Sequence, residues 1–434
     1  MVPHLVTALT GPLNELEQRL LDSMSAIERW FRLEWMEHTP LFYSAVDIRN
    51  AGFKLAPVDI NLFPGGWHNL TEQMLPLAVQ ATMAAIEKIC PEARNLLVIP
   101  QSKPNCTFYL SNIAQLQRIF KMAGLNVRVG SISPQVKKNT LVDLPGGAQV
   151  LLEPVIRRKG GGRGRLGLKD FDPCTILLNN DLKAGLPGIL EDIHEQYLLP
   201  PLHAGSWVRR KSQHLEHYDE AAKRFGKLTA IDPWLINPMF EACGPCDAAK
   251  KSAGGRADLD RLRQHVDSVL TKIRRKYKEY GIFEKPFVVI KGDTGGSESA
   301  EYVMVRDAKD VTAERMAGQD ATALVVQEGV PTCERMNAAV AEPVVYMMDR
   351  YVVGGFYRVH ADRRPDENLA APGSRYIPLA FAESTHLPQL GQKPGVSAPN
   401  RFYMYGVLAR LAMLGAAYEL EATDPLETEE MGLE

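Results

Sequence analysis

The chain has no excess of either charge. Fifty Lys and Arg against 52 Asp and Glu leave a formal net charge of -2, which excludes a protein that holds nucleic acid by bulk positive charge. Cysteine is scarce, and six scattered residues exclude a disulfide framework and suit a reducing cytoplasm. No apolar run is long enough to span a bilayer: the best stretch, 402–420, has Arg401 at its edge and Arg410 inside it. Residues 1–12 lack the basic start and apolar core of a secretory signal. No Gly-x-x-x-x-Gly-Lys-Ser/Thr loop occurs either. What is left, 434 residues that are 45% hydrophobic and 24% charged, describes an ordinary globular protein with chain enough for about three domains.

Residues 287–305 read Phe-Val-Val-Ile-Lys-Gly-Asp-Thr-Gly-Gly-Ser-Glu-Ser-Ala-Glu-Tyr-Val-Met-Val. A β-branched run ends at Lys291, a small polar loop follows, and an alternating strand begins at Tyr302. A lysine closing an apolar strand is costly to bury unless an anion meets it. Gly292, Gly295, Gly296 and Ser297 would offer backbone N–H groups at close approach. Two readings fit: a phosphate clamp, and a plain hairpin whose lysine reaches solvent.

Apolar spacing predicts a helix over 13–35, with Pro12 as its start. Extended stretches follow at 42–48 and 53–61, joined by a turn holding Asn50 and Gly52. After a helix over 71–89, the order strand 96–100, helix 109–123, strand 127–132 is a β-α-β unit and implies a parallel sheet. The polar connection 101–108 lies beyond a strand's carboxyl end, where open α/β sheets bind ligands, so Asn105, Thr107 and Tyr109 are substrate candidates. Arg-Arg-Lys-Gly-Gly-Gly-Arg-Gly-Arg at 157–165 fits a solvated covering loop or a short RNA-binding run. A strand at 175–179, helical segments through His194 and again through Phe225, and a charged helix over 258–280 stopped by Gly281 complete this part. Beyond Glu419 the acidic tail is expected to be disordered. Cys243-Gly244-Pro245-Cys246 has thioredoxin-type spacing, but Asn237-Pro238-Met239 before it does not read as a central strand, and no second pair completes a zinc site. Structural thiols and a regulatory disulfide both stay open.

A lysine followed by a glycine loop and a second strand resembles the ATP-grasp enzymes. Residues 324–327 run into Gln327-Glu328-Gly329-Val330, similar to the hinge that in those enzymes offers backbone groups to adenine and a carboxylate to ribose. Strands at 344–353 and 356–360 are expected around a Gly354-Gly355 turn. Tyr357-Arg358-Val359 and then Asn368-Leu369-Ala370-Ala371-Pro372-Gly373 resemble the glutathione synthetase stretch in which an arginine precedes Asn-Leu-Ala-Ala-Gly-Gly, with Pro372 as a departure. The resemblance implies Arg358 on the transferred phosphoryl group and Asn368 on the active-site loop. The magnesium ligands of such enzymes follow the Asn-Leu segment, where this chain has only a helix over 401–420. Asp47 and Val58-Asp59-Ile60-Asn61, near the other end, resemble them, with Asp59 in place of a glutamate. Asp, Asp and Asn supply the hard oxygens that Mg²⁺ prefers, and Asp59 and Asn61 share one strand face. The implied fold is α/β, ATP-grasp-like and circularly permuted, with a Rossmann-like parallel-sheet domain. The expected division is a metal-site segment at 1–90, a substrate domain at 91–200, a nucleotide lobe at 201–336, a catalytic lobe at 337–420 and a tail at 421–434.

Over its full length the chain resembles the proteobacterial ATP-grasp-like glutamate-cysteine ligases, through residues 59–69, 107–110, 291–297 and 368–373. That family implies ATP- and Mg²⁺-dependent joining of the glutamate γ-carboxylate to the cysteine amine through an acyl phosphate, the first step of glutathione synthesis. Lys291, Thr294, Gly295, Gly296 and Ser297 would then meet phosphates, and Gln327, Glu328 and Val330 the nucleoside. Lys227 is taken as the second nucleotide lysine, with Lys211 as the other candidate. The expected partners are small molecules (glutamate, cysteine, ATP), with no nucleic acid and no membrane, and a homo-oligomer is compatible. The alternatives are a ligase of other amino acids, an inactive nucleotide-binding regulator, and an RNA-binding protein.

Overall fold

The computed structural model describes residues 12–103, 106–160, 163–246, 253–295, 302–317, 323–379, 388, 390–393 and 397–425. The chain opens with α1 (Pro12–Asp22) and α2 (Met24–Glu37), two helices where one was expected, broken at Ser23. A hairpin follows, β1 (Tyr43–Asn50) and β2 (Leu55–Asn61). Next come α3 (Leu75–Ile89), β3 (Asn95–Pro100), α4 (Thr107–Met122), β4 (Asn126–Ser131), β5 (Thr140–Asp143) and β6 (Gln149–Pro154). The hairpin β7 (Ile156–Gly160) and β8 (Arg163–Gly167) precedes β9 (Thr175–Asn179) and β10 (Tyr197–Leu199). Then follow α5 (Lys211–Thr229), β11 (Phe240–Cys243), α6 (Ala253–Glu279), β12 (Val288–Gly292), β13 (Val303–Val305) and β14 (Leu324–Glu328). The chain closes with β15 (Arg335–Met336), β16 (Ala339–Met348), β17 (Tyr351–His360), β18 (Arg375–Pro378) and α7 (Ala398–Ala422).

These strands make three main sheets in a mixed α/β molecule. The order β10-β9-β3-β4-β6-β5 is parallel except at β5, as the β-α-β pattern implies. The order β11-β14-β12-β13 is antiparallel. The third, β18-β17-β16-β1-β2, joins the two ends of the chain: β1 pairs antiparallel with β16, Asp47 lying opposite Val344. Helix α7 is buried along Met404, Leu408, Leu411 and Leu414 and packs on α5, β1, β2 and β16. A helix that is apolar on several sides belongs in a core, which is why it carries the chain's longest apolar stretch without crossing a membrane. Among the described residues, no helix is long and apolar enough to span one.

Three local expectations are corrected. The turn between β16 and β17 lies at Asp349 and Arg350, with Asp349 at φ 50°, and Gly354 and Gly355 sit inside β17. A Cβ on Gly354 would lie 2.8 Å from Met74 Sδ, so glycine is there to let the start of α3 close onto the strand. The segment before His194 is not helical but loops with a short 3₁₀ turn at Gly188–Leu190, because Gly185, Pro187 and Gly188 interrupt any longer run. The described parts of the basic run at 157–165 are strands of the β7–β8 hairpin. Three of its arginines have partners within the protein: Arg157 donates to the carbonyl of Gly188, Arg158 to that of Leu168, and Arg165 pairs with Asp172 and Glu195.

The Cys-x-x-Cys pair ends an edge strand of an antiparallel sheet instead of feeding a helix from a central parallel strand, so it lacks the thioredoxin setting. Both thiols are buried. The hydrogen bond with Cys246, aided by Arg261 and His265 and opposed by burial, brings the Cys243 thiol down to about 6. The expected acidic tail lies outside the described residues from 426 onward.

Candidate active site

The β1–β2 hairpin sets Asp47 directly opposite Asp59 and Ala45 opposite Asn61. Residues paired across strands share a face, as do residues two apart, so Asp47, Asp59 and Asn61 project together. Lys291, near the end of β12, is 4% exposed, and its Nζ donates to the Val58 carbonyl at 3.3 Å, one residue before Asp59. Burial pushes its amine down, and the carboxylates of Asp59, Asp293 and Asp47 pull it back up. A cation from the middle of the chain therefore meets two carboxylates from its beginning.

Arg358 on β17 reaches the same place. Its Nη1 donates to Asp47 Oδ2 and to Glu342 Oε1, each at 2.7 Å, and its Nη2 to Asp47 Oδ1 at 3.3 Å. Glu342 lies across from Arg358 in the β16–β17 register and also pairs with Arg49. Arg49 in turn donates to the carbonyls of Pro365 (2.9 Å) and Glu367 (2.8 Å), fixing the loop that carries Asn368. Burial pushes the Asp47 carboxyl up, Arg358 pulls it down, and the charges of Glu342 and Asp59 add to the rise.

Asp47, Asp59, Lys291, Glu342 and Arg49 line an open cavity of about 770 Å³, together with Gln327, Glu328, Gly329, Val330 and Asn368, while Arg358 lies behind Asp47 and Glu342 and Asn61 faces a different cavity. The volume of this open cavity suits a nucleotide-sized ligand. A second, smaller cavity of about 90 Å³ shares Asp59 and is lined by Asn61, Tyr109, Asp181, Arg209, Lys211 and Gly295 among others. It lies at the carboxyl edge of the parallel sheet, where the Tyr109 hydroxyl donates to Asn179.

Other expected site residues are placed differently. Lys227 is exposed in the last turn of α5, whereas Lys211, at the start of that helix, is largely buried and donates to the carbonyls of Gly292 (3.1 Å) and Gly295 (2.8 Å). Lys211 is thus the second lysine at the glycine loop. Both residues belong to one helix, and sixteen residues of helical rise separate Lys211 from Lys227. Thr107 is exposed at the first turn of α4 and lines neither cavity. Asn368 lines the larger cavity, and its Oδ1 accepts from Ala370 N at 2.9 Å. Thr294 lines neither cavity, and Gly295, at φ +97°, donates its N–H to the Ser206 carbonyl at 2.8 Å. Asn105, Gly296 and Ser297 lie outside the described residues.

The Glu328 carboxylate does not face a ribose. It points away from solvent, onto Lys54 at 2.7 Å and the Trp234 indole N–H at 3.1 Å. The hinge therefore offers its backbone to the cavity and its acid to the interior. Lys54, Glu342 and Arg49 escaped sequence reasoning. Their one signal is a charge inside an apolar run, as in Phe53-Lys54-Leu55 and Val340-Ala341-Glu342-Pro343-Val344, and that signal names no partner.

The donor set suits a hard cation. Mg²⁺ is held by one or two carboxylates with waters and substrate phosphates completing an octahedron. Asp59 stands beside a buried lysine, Asp47 is paired with a guanidinium, and Asn61 Oδ1 accepts from Phe63 N at 2.9 Å. Among the described residues no group of three or more His, Cys, Asp or Glu is arranged to hold a metal by itself.

A glutamate-cysteine ligase (GshA) family model matches residues 17–420. Among solved structures, a protein from Methylobacillus flagellatus KT, provisionally assigned as a γ-glutamylcysteine synthetase, is 50% identical with a TM-score of 0.88, covering 98% of this chain and 100% of that one. A glutathione synthetase-like effector from Globodera pallida matches at 10% identity and a TM-score of 0.37, over 84% of this chain and 80% of that one. The search of curated proteins found no match.

Proposed function

This chain belongs to the glutamate-cysteine ligase family, and from that premise we propose how its residues divide the work of joining glutamate to cysteine. As a member, it is an enzyme that forms γ-glutamylcysteine, the first step of glutathione biosynthesis, from small-molecule substrates. In our reading ATP occupies the larger cavity, with its base against the backbone of residues 327–330 and its phosphates toward Lys291 and the glycine loop. The amino acids lie toward the smaller cavity, at Tyr109 and Asp59.

The proposed fold is a circularly permuted ATP-grasp, in which the β1–β2 hairpin stands where other members carry strands late in the chain. The pairing of β1 with β16 supports this, since the first hairpin extends a sheet built from the chain's last strands. The proposed domains follow the expected boundaries, with the segment before residue 90 completing the catalytic lobe. A cytoplasmic setting is part of the same reading.

A carboxylate does not condense with an amine unaided, because its oxygen is a poor leaving group. Transfer of the ATP γ-phosphoryl group to the glutamate γ-carboxylate gives an acyl phosphate, which the cysteine amine attacks with loss of phosphate. Such transfers are driven by positioning and charge stabilisation. Lys291 offsets charge on the phosphates, and Arg358, held by Asp47 and Glu342, is the guanidinium that would stabilise the moving phosphoryl group. Asp47, Asp59 and Asn61 would hold Mg²⁺, which neutralises phosphate charge when bound. Arg49 and Glu342 keep Arg358 and the Asn368 loop in place.

The observation that carries this reading is the Lys291 Nζ at 3.3 Å from the Val58 carbonyl, beside Asp59. ADP release is measured with glutamate and cysteine supplied singly and together. Turnover should need both, and Lys291→Ala and Asp59→Ala should each lower it by about 10²-fold or more while circular dichroism stays native. Near-normal turnover in either variant overturns the assignment.

A further inference from the structure

Lys54 lies in the turn between β1 and β2, and its side chain is 0% exposed. Its Nζ is 2.7 Å from Glu328 Oε2 and 4.4 Å from the centre of the Trp234 ring. Glu328 ends β14 and is as deeply buried, with a 1% exposed side chain. Its carboxylate also accepts from the Trp234 indole N–H (3.1 and 3.2 Å) and from Met239 N at 2.9 Å, and its own N–H donates to the Met239 carbonyl at 2.7 Å. Phe53 lies parallel to Trp234 at 6.5 Å and edge-on to Tyr277 of α6 at 5.2 Å, so the turn is seated between these rings and the end of β14.

Net stability does not explain such a pair. Two charges taken out of water cost about as much as their attraction returns, and well-packed apolar side chains of the same volume do as well or better. What an ion pair adds is a unique arrangement: one ammonium, one carboxylate and two further N–H donors meet in a single geometry. Here that geometry ties together two elements with different duties. Five residues after Lys54, β2 presents Asp59, and directly after Glu328 the hinge backbone of Gly329 and Val330 lines the larger cavity.

We propose that Lys54 is a positioning residue of the nucleotide site: through Glu328 it holds the hinge at a set distance from the strand carrying Asp59. It touches neither nucleotide nor metal, and acts by aligning the part of the cavity that grips the base with the part that meets the phosphates. The Lys54 amine, brought down to about 8 by burial against the pull of Glu328, reflects the cost of keeping a charge there. The inference rests on ATP lying in that cavity.

Lys54→Met alone would strand a buried carboxylate, so the test uses the neutral pair Lys54→Met with Glu328→Gln. The amide oxygen of Gln still accepts from Trp234 and Met239. A second variant, Trp234→Phe, keeps the ion pair and removes one donor. KM is measured for ATP, glutamate and cysteine, and Mg-ADP binding by calorimetry. The paired variant should raise the ATP KM and the Mg-ADP Kd about tenfold, and Trp234→Phe about threefold, while both amino-acid KM values stay within twofold. If a folded variant keeps wild-type nucleotide constants, or if all three KM values rise together, the positioning role is overturned. If Trp234→Phe folds with an unchanged ATP KM, it falls even where the paired variant does not fold. The site reading fails separately, when Lys291→Ala leaves Mg-ADP binding unchanged.

Discussion

At the residue scale the site turns on how burial and charge divide between two lysines. Lys291 is the lysine that the motif singles out, but Lys211 does comparable work from the head of α5, holding two carbonyls of the glycine loop. Burial brings its amine down to about 8, against the attraction of Asp59. Below that pH it is charged and attracts phosphate, and above it the attraction is lost. ADP affinity should therefore fall as pH rises through about 8, and Lys211→Arg, which stays charged, should abolish the fall. Lys211→Met should weaken ADP about tenfold at neutral pH, as read by calorimetric titration. The sequence reading takes Lys227, with Lys211 as the other candidate, and nothing local separates the two, because helical phase against a distant loop is not a local property.

At the scale of elements, the hinge strand β14 shows what a short motif hides. Gln327-Glu328-Gly329-Val330 resembles a hinge in the sequence, and these four residues line the larger cavity. The direction of the Glu328 side chain was not legible, because Lys54 lies 274 residues away. Gly329 has its own reason: a Cβ there would come within 2.0 Å of the Phe287 ring, which also lines the cavity. Gly329→Ala must displace that ring, and the ATP KM should rise about tenfold with smaller changes for the amino acids, as initial-rate kinetics would register. Adding Phe287→Leu should recover part of the loss. The misplaced β16–β17 turn teaches the same lesson. Adjacent glycines are a strong local turn signal, yet pairing with β1 on one side and β18 on the other sets the register, and the glycines serve the packing of Met74.

Across the whole molecule, the last helix fastens distant parts of the chain. Glu419 on α7 takes Arg209 in a two-point pair at 2.8 and 2.9 Å, with His214 Nδ1 at 3.2 Å, beside the smaller cavity. Burial alone would push the Glu419 carboxyl up, but Arg209 and His214 bring it down to about 2. Burial also pushes His214 down, so at neutral pH the imidazole is uncharged and Arg209 carries the effect. A carboxyl whose folded value is depressed stabilises above its unfolded value near 4.5 and loses that contribution as pH falls toward 2. The contribution is about 3 kcal/mol at most, present at neutral pH. Urea denaturation between pH 5 and pH 3 should show stability falling more steeply in the native protein than in Glu419→Gln, whose stability is lower at pH 7 and less dependent on acid.

Local chemistry is enough to single out candidate groups. A lysine before a glycine loop, an Asp-x-Asn strand, an arginine ahead of Asn-Leu-Ala-Ala and a β-α-β unit are each a local pattern in the chain, since each depends on backbone geometry and side-chain type at short range. Only the tertiary structure decided which groups meet. It paired β1 with β16, turned Asp47 onto Arg358, chose Lys211 over Lys227 and closed Glu328 onto Lys54. Those choices belong to the folded molecule because a buried charge must find its partner through space, and the partner's place along the chain carries no trace of that distance.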